Sequence, residues 1–95
     1  MSELRKTITI VNQRGLHARA SAKFVTFVSR LPESVSVEVE KGGSRVNGTS
    51  IMGLMMLSAG IGTTITVAAK GREAGAAMDA ITELLANKFG EEEAG

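Results

Sequence analysis

The sequence predicts an α+β protein, a two-layer open-faced sandwich in which a four-stranded antiparallel sheet carries three helices on one face. Four segments alternate apolar and polar residues, as strands with one buried face do. Two longer segments repeat apolar residues at spacings of three and four, as amphipathic helices do. The second strand has a polar side that faces water, which favours an antiparallel sheet over a parallel one buried on both faces.

The first strand and the first helix are predicted from different periodicities. Residues 6–12 alternate threonine with isoleucine, the period of a half-buried strand. In residues 18–31, two phenylalanines, a valine and a leucine recur three or four positions apart, so this segment is predicted as an amphipathic helix. The helix should end before Pro32, because proline disfavours a helical conformation in the residue that precedes it.

Two short strands joined by a tight turn are predicted next. Residues 35–40 alternate valine with serine or glutamate, which gives the strand one apolar and one water-facing side. Gly42 and Gly43 suit a hairpin turn because glycine adopts positive φ without steric cost. Residues 44–47 are then predicted as the third strand of the sheet.

A short helix, a fourth strand and a long helix complete the predicted order. Thr49 or Ser50 can cap a helix over residues 51–57. Residues 63–70 alternate again and predict the fourth strand. Apolar residues at helical spacing then run through residues 74–89 and predict one long final helix.

Length and composition predict a single domain over residues 1–95, with residues 90–95 as a frayed acidic tail. Eleven Lys and Arg against ten Asp and Glu give a formal charge of +1, so nothing general favours binding to nucleic acid or an anionic membrane. Cysteine is absent, which excludes thiolate chemistry, and no metal or cofactor is expected. No signal peptide or membrane-spanning segment is recognised, so a cytoplasmic location is expected.

His17 is the only histidine, and it is the residue best suited to carry chemistry. It lies where the first strand leads into the first helix, and backbone N–H groups at a helix start favour a bound anion. Arg19 adds further donors. No Asp or Glu lies within nine residues of His17 in the chain, which argues against a hydrolytic triad. These features predict a phosphoryl acceptor; the structural alternative is that His17 merely begins a helix.

Two separated motifs carry a family resemblance. Gly-Leu-His-Ala-Arg at residues 15–19, together with Asn-Gly-Thr-Ser-Ile-Met-Gly-Leu-Met-Met-Leu at residues 47–57, resembles the HPr family, the histidine phosphocarriers of the bacterial phosphoenolpyruvate-dependent phosphotransferase system. The resemblance covers residues 6–89. It implies that His17 accepts a phosphoryl group from phospho-Enzyme I on its ring Nδ1 and donates it to a IIA-type protein. Ala18 and Arg19 are then expected to bind the phosphate.

One residue departs from the family pattern. The family commonly has proline directly after the arginine of the first motif, where this chain has Ala20. Proline in a first helical turn restricts the unfolded chain and removes no needed hydrogen bond, so its loss is expected to cost about 0.4–1 kcal/mol of stability. His17 and Arg19, which the chemistry would use, are both present.

Ser50 has two interpretations. Serine is strongly preferred as a helix N-cap, which by itself explains this residue. The resemblance implies a second role, because many HPr proteins are phosphorylated by a regulatory kinase at the matching serine. A serine kinase or phosphorylase is therefore an expected partner, and a phosphate of about two negative charges beside the docking face would hinder acidic partners.

A docking surface is expected beside His17. The short helix carries more apolar residues than one face can bury, so some of them should be exposed. Flexible methionine side chains suit a surface that contacts several partners in turn. The residues predicted for docking are Ala22, Lys23, Ile51, Met52 and Met55. The protein is expected to be a monomer.

Other functions stay open at this point. A small regulatory or ligand-binding α+β module without phosphotransfer would share the fold and carry no covalent phosphate. A stand-alone enzyme is disfavoured because the sequence contains no paired carboxylates near His17 and no Walker-type phosphate loop. Within the family, a nitrogen-related regulatory branch competes with the carbohydrate-uptake branch, and Ser50 with Ile51 and Met52 favours the carbohydrate-uptake branch or a kinase-regulated hybrid.

Overall fold

A computed structural model describes residues 3–90 of the chain. The elements in order are β1 (Leu4–Thr9), α1 (Ala18–Ser29), β2 (Ser36–Lys41), β3 (Ser44–Asn47), α2 (Ile51–Met56), β4 (Thr64–Lys70), α3 (Ala74–Ala86) and a short 3-10 turn (Lys88–Gly90). The four strands form one antiparallel sheet in the order β1-β4-β2-β3. The predicted α+β class and the predicted order of elements are confirmed.

The strand β4 lies inside the sheet because it is the most apolar of the four. It pairs with β1, where Ile65 faces Ile8, and with β2, where Val67 faces Val39. Ile65, Val67 and Val39 are all buried. The last strand in sequence is therefore placed between strands that precede it, and the sheet gains an apolar centre.

The core lies between one face of the sheet and the three helices. Each helix contributes a large side chain that is buried almost completely: Phe24 from α1, Leu54 from α2 and Ile81 from α3. They pack in one cluster with Val39 and Val67 of the sheet. Removing most of such a side chain typically costs 2–5 kcal/mol, or roughly a third of the stability of a small domain. The helices are thus held on the sheet chiefly by apolar burial.

The opposite face of the sheet is open and polar. Arg5 donates to Glu3 and, at 2.8 Å, to Glu40, while Arg45 contacts Glu3 and donates to Glu38 at 2.8 Å. Desolvation acts to raise the pKa of Glu3, but the hydrogen bonds and positive charges of the two arginines together outweigh it, so the pKa is lowered. Exposed pairs of this kind contribute little to stability. They give this face a charged surface rather than an apolar one.

Several boundaries differ from the predicted ones. β1 covers Leu4–Thr9 rather than residues 6–12. The chain leaves the strand after Thr9, although Ile10 still bonds to the segment before β4: its N–H donates to Thr63 at 2.8 Å and its carbonyl accepts from Gly62. The helix α1 begins at the predicted residue but ends at Ser29, where Arg30 forms the C-cap. Local patterns place such ends only to within a few residues.

The final helix ends earlier than predicted. α3 stops at Ala86, and then Lys88, Phe89 and Gly90 adopt positive φ of 57°, 58° and 75°. This left-handed turn returns Phe89 to the core, where it is 2% exposed. The apolar pattern therefore identified a buried residue but assigned it to the wrong element, because periodicity reports burial and not the path of the backbone. Of the predicted tail, only Gly90 lies within the described residues.

Candidate functional site

The candidate site lies where the loop after β1 meets the start of α1. Gly15 has φ of +63°, a conformation that glycine adopts without steric cost. Its N–H donates to the Asn12 carbonyl at 3.1 Å, and the Asn12 Nδ2 donates back to the Gly15 carbonyl at 2.8 Å. Asn12 is fully buried. The turn before His17 is therefore closed from within by a buried side chain.

The loop that follows α2 also contacts this turn. The N–H of Leu16 donates to the Ala59 carbonyl, just after α2, at 2.9 Å. A Cβ atom on Gly15 would lie 2.2 Å from the same oxygen, so only glycine permits this approach. The fully buried Ser21 hydroxyl donates to the Leu16 carbonyl at 3.2 Å. These contacts connect the turn before His17 to both α1 and the segment after α2.

His17 is the N-cap of α1. Its backbone is extended, with φ of −76° and ψ of 179°, and its carbonyl accepts from the Ser21 N–H at 2.9 Å. The ring Nδ1 accepts from the Arg19 N–H at 3.3 Å. A ring nitrogen that accepts a hydrogen bond carries a lone pair, which assigns the proton of the neutral imidazole to Nε2. The Nδ1 atom thus faces the positive end of the helix.

The predicted phosphate-binding residues lie beside this nitrogen. Ala18 and Arg19 are the first two residues of α1, and both are exposed. Arg19 lines a surface groove along α1. Ala20, where the family commonly has proline, is fully buried, so this departure lies at a packed position. An anion on Nδ1 would therefore meet amide groups of the first turn from the solvent side.

The predicted docking residues lie on two helices that pack against each other, α1 and α2. On α2, Met52 is 71% exposed, and Ile51 and Met55 are exposed to about 40%, whereas Leu54 is buried. On α1, Ala22 is half-buried and Lys23 is exposed. The prediction that α2 exposes apolar residues is confirmed, and their role in docking stays a prediction.

One apolar residue of α2 was not assigned to the docking surface. Met56 is 76% exposed, more than any other large hydrophobic residue among those the structure describes. The signal was present in the sequence, because two adjacent methionines of a short helix cannot both point into the core. Only the packing of Leu54 into the core shows which side of α2 faces outward.

Ser50 is the N-cap of α2. Its Oγ accepts from the Gly53 N–H at 2.9 Å, and its backbone is extended. The capping interpretation is confirmed, and Thr49, the other candidate, instead bonds back to the Asn47 side chain. The hydroxyl is half-buried at the helix start, and its regulatory role stays a prediction.

Within residues 3–90, His, Cys, Asp and Glu side chains form no group of three or more that could hold a metal ion. Over the same residues, no helix has both the length and the apolar character needed to cross a membrane.

Comparison with known proteins identifies the family. Residues 4–87 match the family model described as the phosphorylation site of the PTS HPr component. The chain belongs to the HPr family. Its similarity to the phosphocarrier protein HPr of Neisseria meningitidis is 49% identity over 90 residues, which covers 95% of this chain and 99% of the relative. The HPr-family assignment makes this protein a phosphocarrier of the phosphotransferase system.

Two further relatives are similar to this HPr-family chain, one in sequence and one as a solved structure. The phosphocarrier protein NPr of Shewanella violacea is 40% identical over 91 residues, covering 96% of this chain and 98% of the relative. The crystal structure of HPr-C-His from Thermoanaerobacter tengcongensis superposes with a TM-score of 0.84 at 41% identity, covering 98% of this chain and all of that one. The open-faced sandwich is thus shared with solved HPr structures.

Sequence reasoning missed the residues that hold the site together. Asn12 was predicted only as the end of the first strand, and Ser21 and Ala59 received no role. The structure buries all three and gives each a hydrogen bond to the turn before His17. A small polar residue next to the motif was the only signal in the sequence, and such residues are common in ordinary turns and caps.

Proposed function

We propose that His17 is the phosphoryl acceptor of this phosphocarrier, receiving the group from phospho-Enzyme I and passing it to IIA-type proteins. The observation that carries the proposal is the hydrogen bond from the Arg19 N–H to Nδ1 of His17 at the start of α1. In the transfer, a bond forms between phosphorus and Nδ1 as the bond between phosphorus and the donor histidine breaks. The new phosphate lies at the helix start, where amide groups and Arg19 stabilise its charge.

The surroundings of His17 suit a carrier better than an enzyme that holds its substrate. His17 is half-buried, and its neighbours Ala18 and Arg19 are exposed. A partner histidine must approach in line with the bond that breaks, which requires an accessible face rather than an enclosed pocket. A few amides and one arginine stabilise the phosphate without surrounding it, so it can pass onward.

Incubation with phosphoenolpyruvate and Enzyme I tests the proposal. We expect one phosphate per chain, labile in acid and stable in alkali, as a phosphohistidine is. Omitting Enzyme I should leave the chain unlabelled. An unlabelled protein in the complete reaction would contradict the phosphoryl-acceptor role and favour a regulatory module without phosphotransfer.

The nitrogen-related branch is the second candidate, supported by the similarity to a relative named NPr. The phosphorylated protein should be offered in parallel to a IIA protein of the carbohydrate branch and to one of the nitrogen branch. Faster transfer to the carbohydrate-branch acceptor supports the first assignment. Faster transfer to the nitrogen-branch acceptor would replace it.

Replacement of Met52 by alanine tests the docking surface. Because Met52 is 71% exposed, we expect the free energy of unfolding to change by less than about 0.5 kcal/mol. Affinity for Enzyme I should fall by about 1–2 kcal/mol if Met52 is an apolar anchor of the interface. Titration calorimetry and urea denaturation measure the two quantities.

The control for this variant is Leu54→Ala on the same helix. Leu54 is buried, so its truncation should cost about 2–5 kcal/mol of stability. If Met52→Ala lost comparable stability, or bound Enzyme I as tightly as the unchanged protein, the assignment of Met52 to the docking surface would be wrong.

We further propose that Ser50 is a regulatory phosphorylation site for a serine kinase. Ser50→Asp should slow phosphoryl transfer from Enzyme I several-fold at low salt, because it adds a negative charge beside the docking surface. Asp and Asn both cap helices about as well as serine, so Ser50→Asn is a matched control without the charge. The rate of label transfer at low and high salt measures the effect; equal rates for the two variants would contradict it.

A further inference from the structure

Three methionines of α2 share the outward side of that helix. Met52 lies three positions before Met55 and four before Met56, and residues at these spacings are neighbours on a helix surface. Leu54 and Leu57, on the other side, are buried. Met56 is 76% exposed, Met52 is 71% exposed and Met55 is 41% exposed. These three side chains therefore form one exposed surface, the methionine face.

The methionine face presents sulfur atoms to solvent. The chain contains no cysteine, and four of its five methionines lie within residues 3–90. The fourth of these, Met78 of α3, is 6% exposed and packs in the core. A peroxide oxidises a thioether that it can reach, and the reaction needs no catalytic group on the protein. Exposure therefore predicts that Met56 and Met52 react first, Met55 next and Met78 last.

Oxidation changes the chemical character of the methionine face. The sulfur attacks one oxygen of hydrogen peroxide, so that an S–O bond forms while the O–O bond breaks and water leaves. The sulfur is oxidised by two electrons, and the peroxide is reduced by the same two. The product is methionine sulfoxide, which is polar where the thioether was apolar. A partner that covers this face must then bury the sulfoxide oxygen, which costs free energy unless a donor meets it.

We propose that the methionine face is a peroxide-sensitive modification site whose oxidation weakens the docking of Enzyme I. The effect on transfer rests on the proposed function. The helices α1 and α2 pack against each other, and the turn before His17 bonds to the Ala59 carbonyl just after α2. A protein that contacts His17 therefore meets α2 as well. Methionine sulfoxide reductases regenerate the thioether, so the modification is reversible.

Peroxide treatment of the full chain, followed by catalase and peptide mass analysis, tests the site itself. We expect Met52 and Met56 to gain oxygen several-fold faster than Met78. When only the methionine face is oxidised, the midpoint of urea denaturation should stay near that of the untreated protein, because these side chains lie in solvent. Oxidation of Met78 as fast as Met56, or a midpoint as low as that of Leu54→Ala, would overturn the proposal.

Label transfer from phosphoenolpyruvate through Enzyme I tests the effect on docking. The peroxide is removed before Enzyme I is added. At protein concentrations below KM, we expect the initial rate to fall about fivefold or more after oxidation. Higher protein concentrations should recover the rate, because weakened docking raises KM and leaves kcat unchanged. Reductases for both sulfoxide epimers should also recover it. An unchanged rate with a fully oxidised methionine face would overturn the proposal.

Two variants assign the effect to the methionine face. One carries Met52→Leu, Met55→Leu and Met56→Leu, which keep apolar side chains of similar volume without sulfur. The matched control is Met78→Leu. Each rate is compared before and after peroxide in the same variant: the first variant should be insensitive, and the control should lose rate as the unchanged protein does. Equal fractional losses in the two variants would overturn the proposal.

Affinity for Enzyme I, measured by titration calorimetry before and after peroxide, separates this inference from the proposed function. Absence of label from every untreated protein would overturn the phosphoryl-acceptor role alone. Affinity that falls on oxidation in the unchanged protein, and not in the variant with three leucines, would still support the modification site. Affinity that does not fall would overturn it.

Discussion

Replacing His17 by asparagine is expected to abolish phosphoryl acceptance while the fold stays intact. The asparagine side-chain oxygen can accept the Arg19 N–H as the ring Nδ1 does now, and asparagine is among the best N-cap residues. It lacks the nucleophilic imidazole, so no phosphohistidine can form. Labelling with phosphoenolpyruvate and Enzyme I, together with urea denaturation, measures the two effects.

Replacing His17 by alanine separates its role as a helix cap from its role as a nucleophile. His17→Ala removes the cap as well as the nucleophile, so it should lose the label and also about 0.5–2 kcal/mol of stability. His17→Asn should lose the label alone. Phosphate retained on either variant would mean that another residue accepts it, and equal stability of His17→Ala and the unchanged protein would mean that the Nδ1 contact contributes nothing to the helix.

Replacing Gly15 by alanine is expected to damage both stability and phosphoryl acceptance. The residue has φ of +63°, which costs roughly 1–2 kcal/mol for alanine, and the new Cβ would lie 2.2 Å from the Ala59 carbonyl oxygen. The two loops must separate, so the bond from Leu16 to Ala59 is lost along with the position of His17. We therefore expect the free energy of unfolding to fall by several kcal/mol, and phosphoryl transfer to be slower in the protein that remains folded.

Two other glycines provide the controls. Gly42 has φ of +54° and open space around it, so Gly42→Ala should cost only the backbone strain of about 1–2 kcal/mol and leave transfer unchanged. Gly71 would place a Cβ 1.9 Å from the Ser34 carbonyl oxygen, so Gly71→Ala should destabilise the fold without moving His17. The rate at which the folded fraction of each variant takes up the label distinguishes the three glycine variants. If Gly15→Ala behaved like Gly42→Ala, the loop contact would have no role at the site.

The backbone builds this site, and a single side chain completes it. His17 accepts from one amide, and the turn before it is held by Asn12, Ser21 and the Ala59 carbonyl. The acidic groups that the structure pairs with arginines lie on the open face of the sheet, which the helices leave uncovered. The position of the imidazole therefore depends on packing and hydrogen bonds more than on ion pairs.

Much of the fold could be predicted because its signals are local. Alternation identified the strands, and spacings of three and four identified α1 and α3, since each pattern records which side of an element is buried. The start of α1 at Ala18 was predicted to the residue, and the cap of α2 to one of two neighbouring residues, Thr49 and Ser50, because helix starts have strong side-chain preferences. The end of α3 was not, because its left-handed turn depends on Phe89 returning to a core that other elements form.

By itself, the sequence determined the class of the fold, the family and the histidine available for chemistry, because periodicity, capping preference and a rare residue type are properties of neighbouring positions. Only the tertiary structure decided which nitrogen of His17 faces the helix, which buried residues hold its turn, and where the chain returns beside Lys23. The bonds of His17 Nδ1 and of Asn12 are local, but they depend on side-chain orientation, which periodicity does not record. The bonds from Leu16 to Ala59 and from Lys23 to Phe89 join segments far apart in the chain. Such contacts depend on the packing of the whole core, and a local pattern carries no record of it.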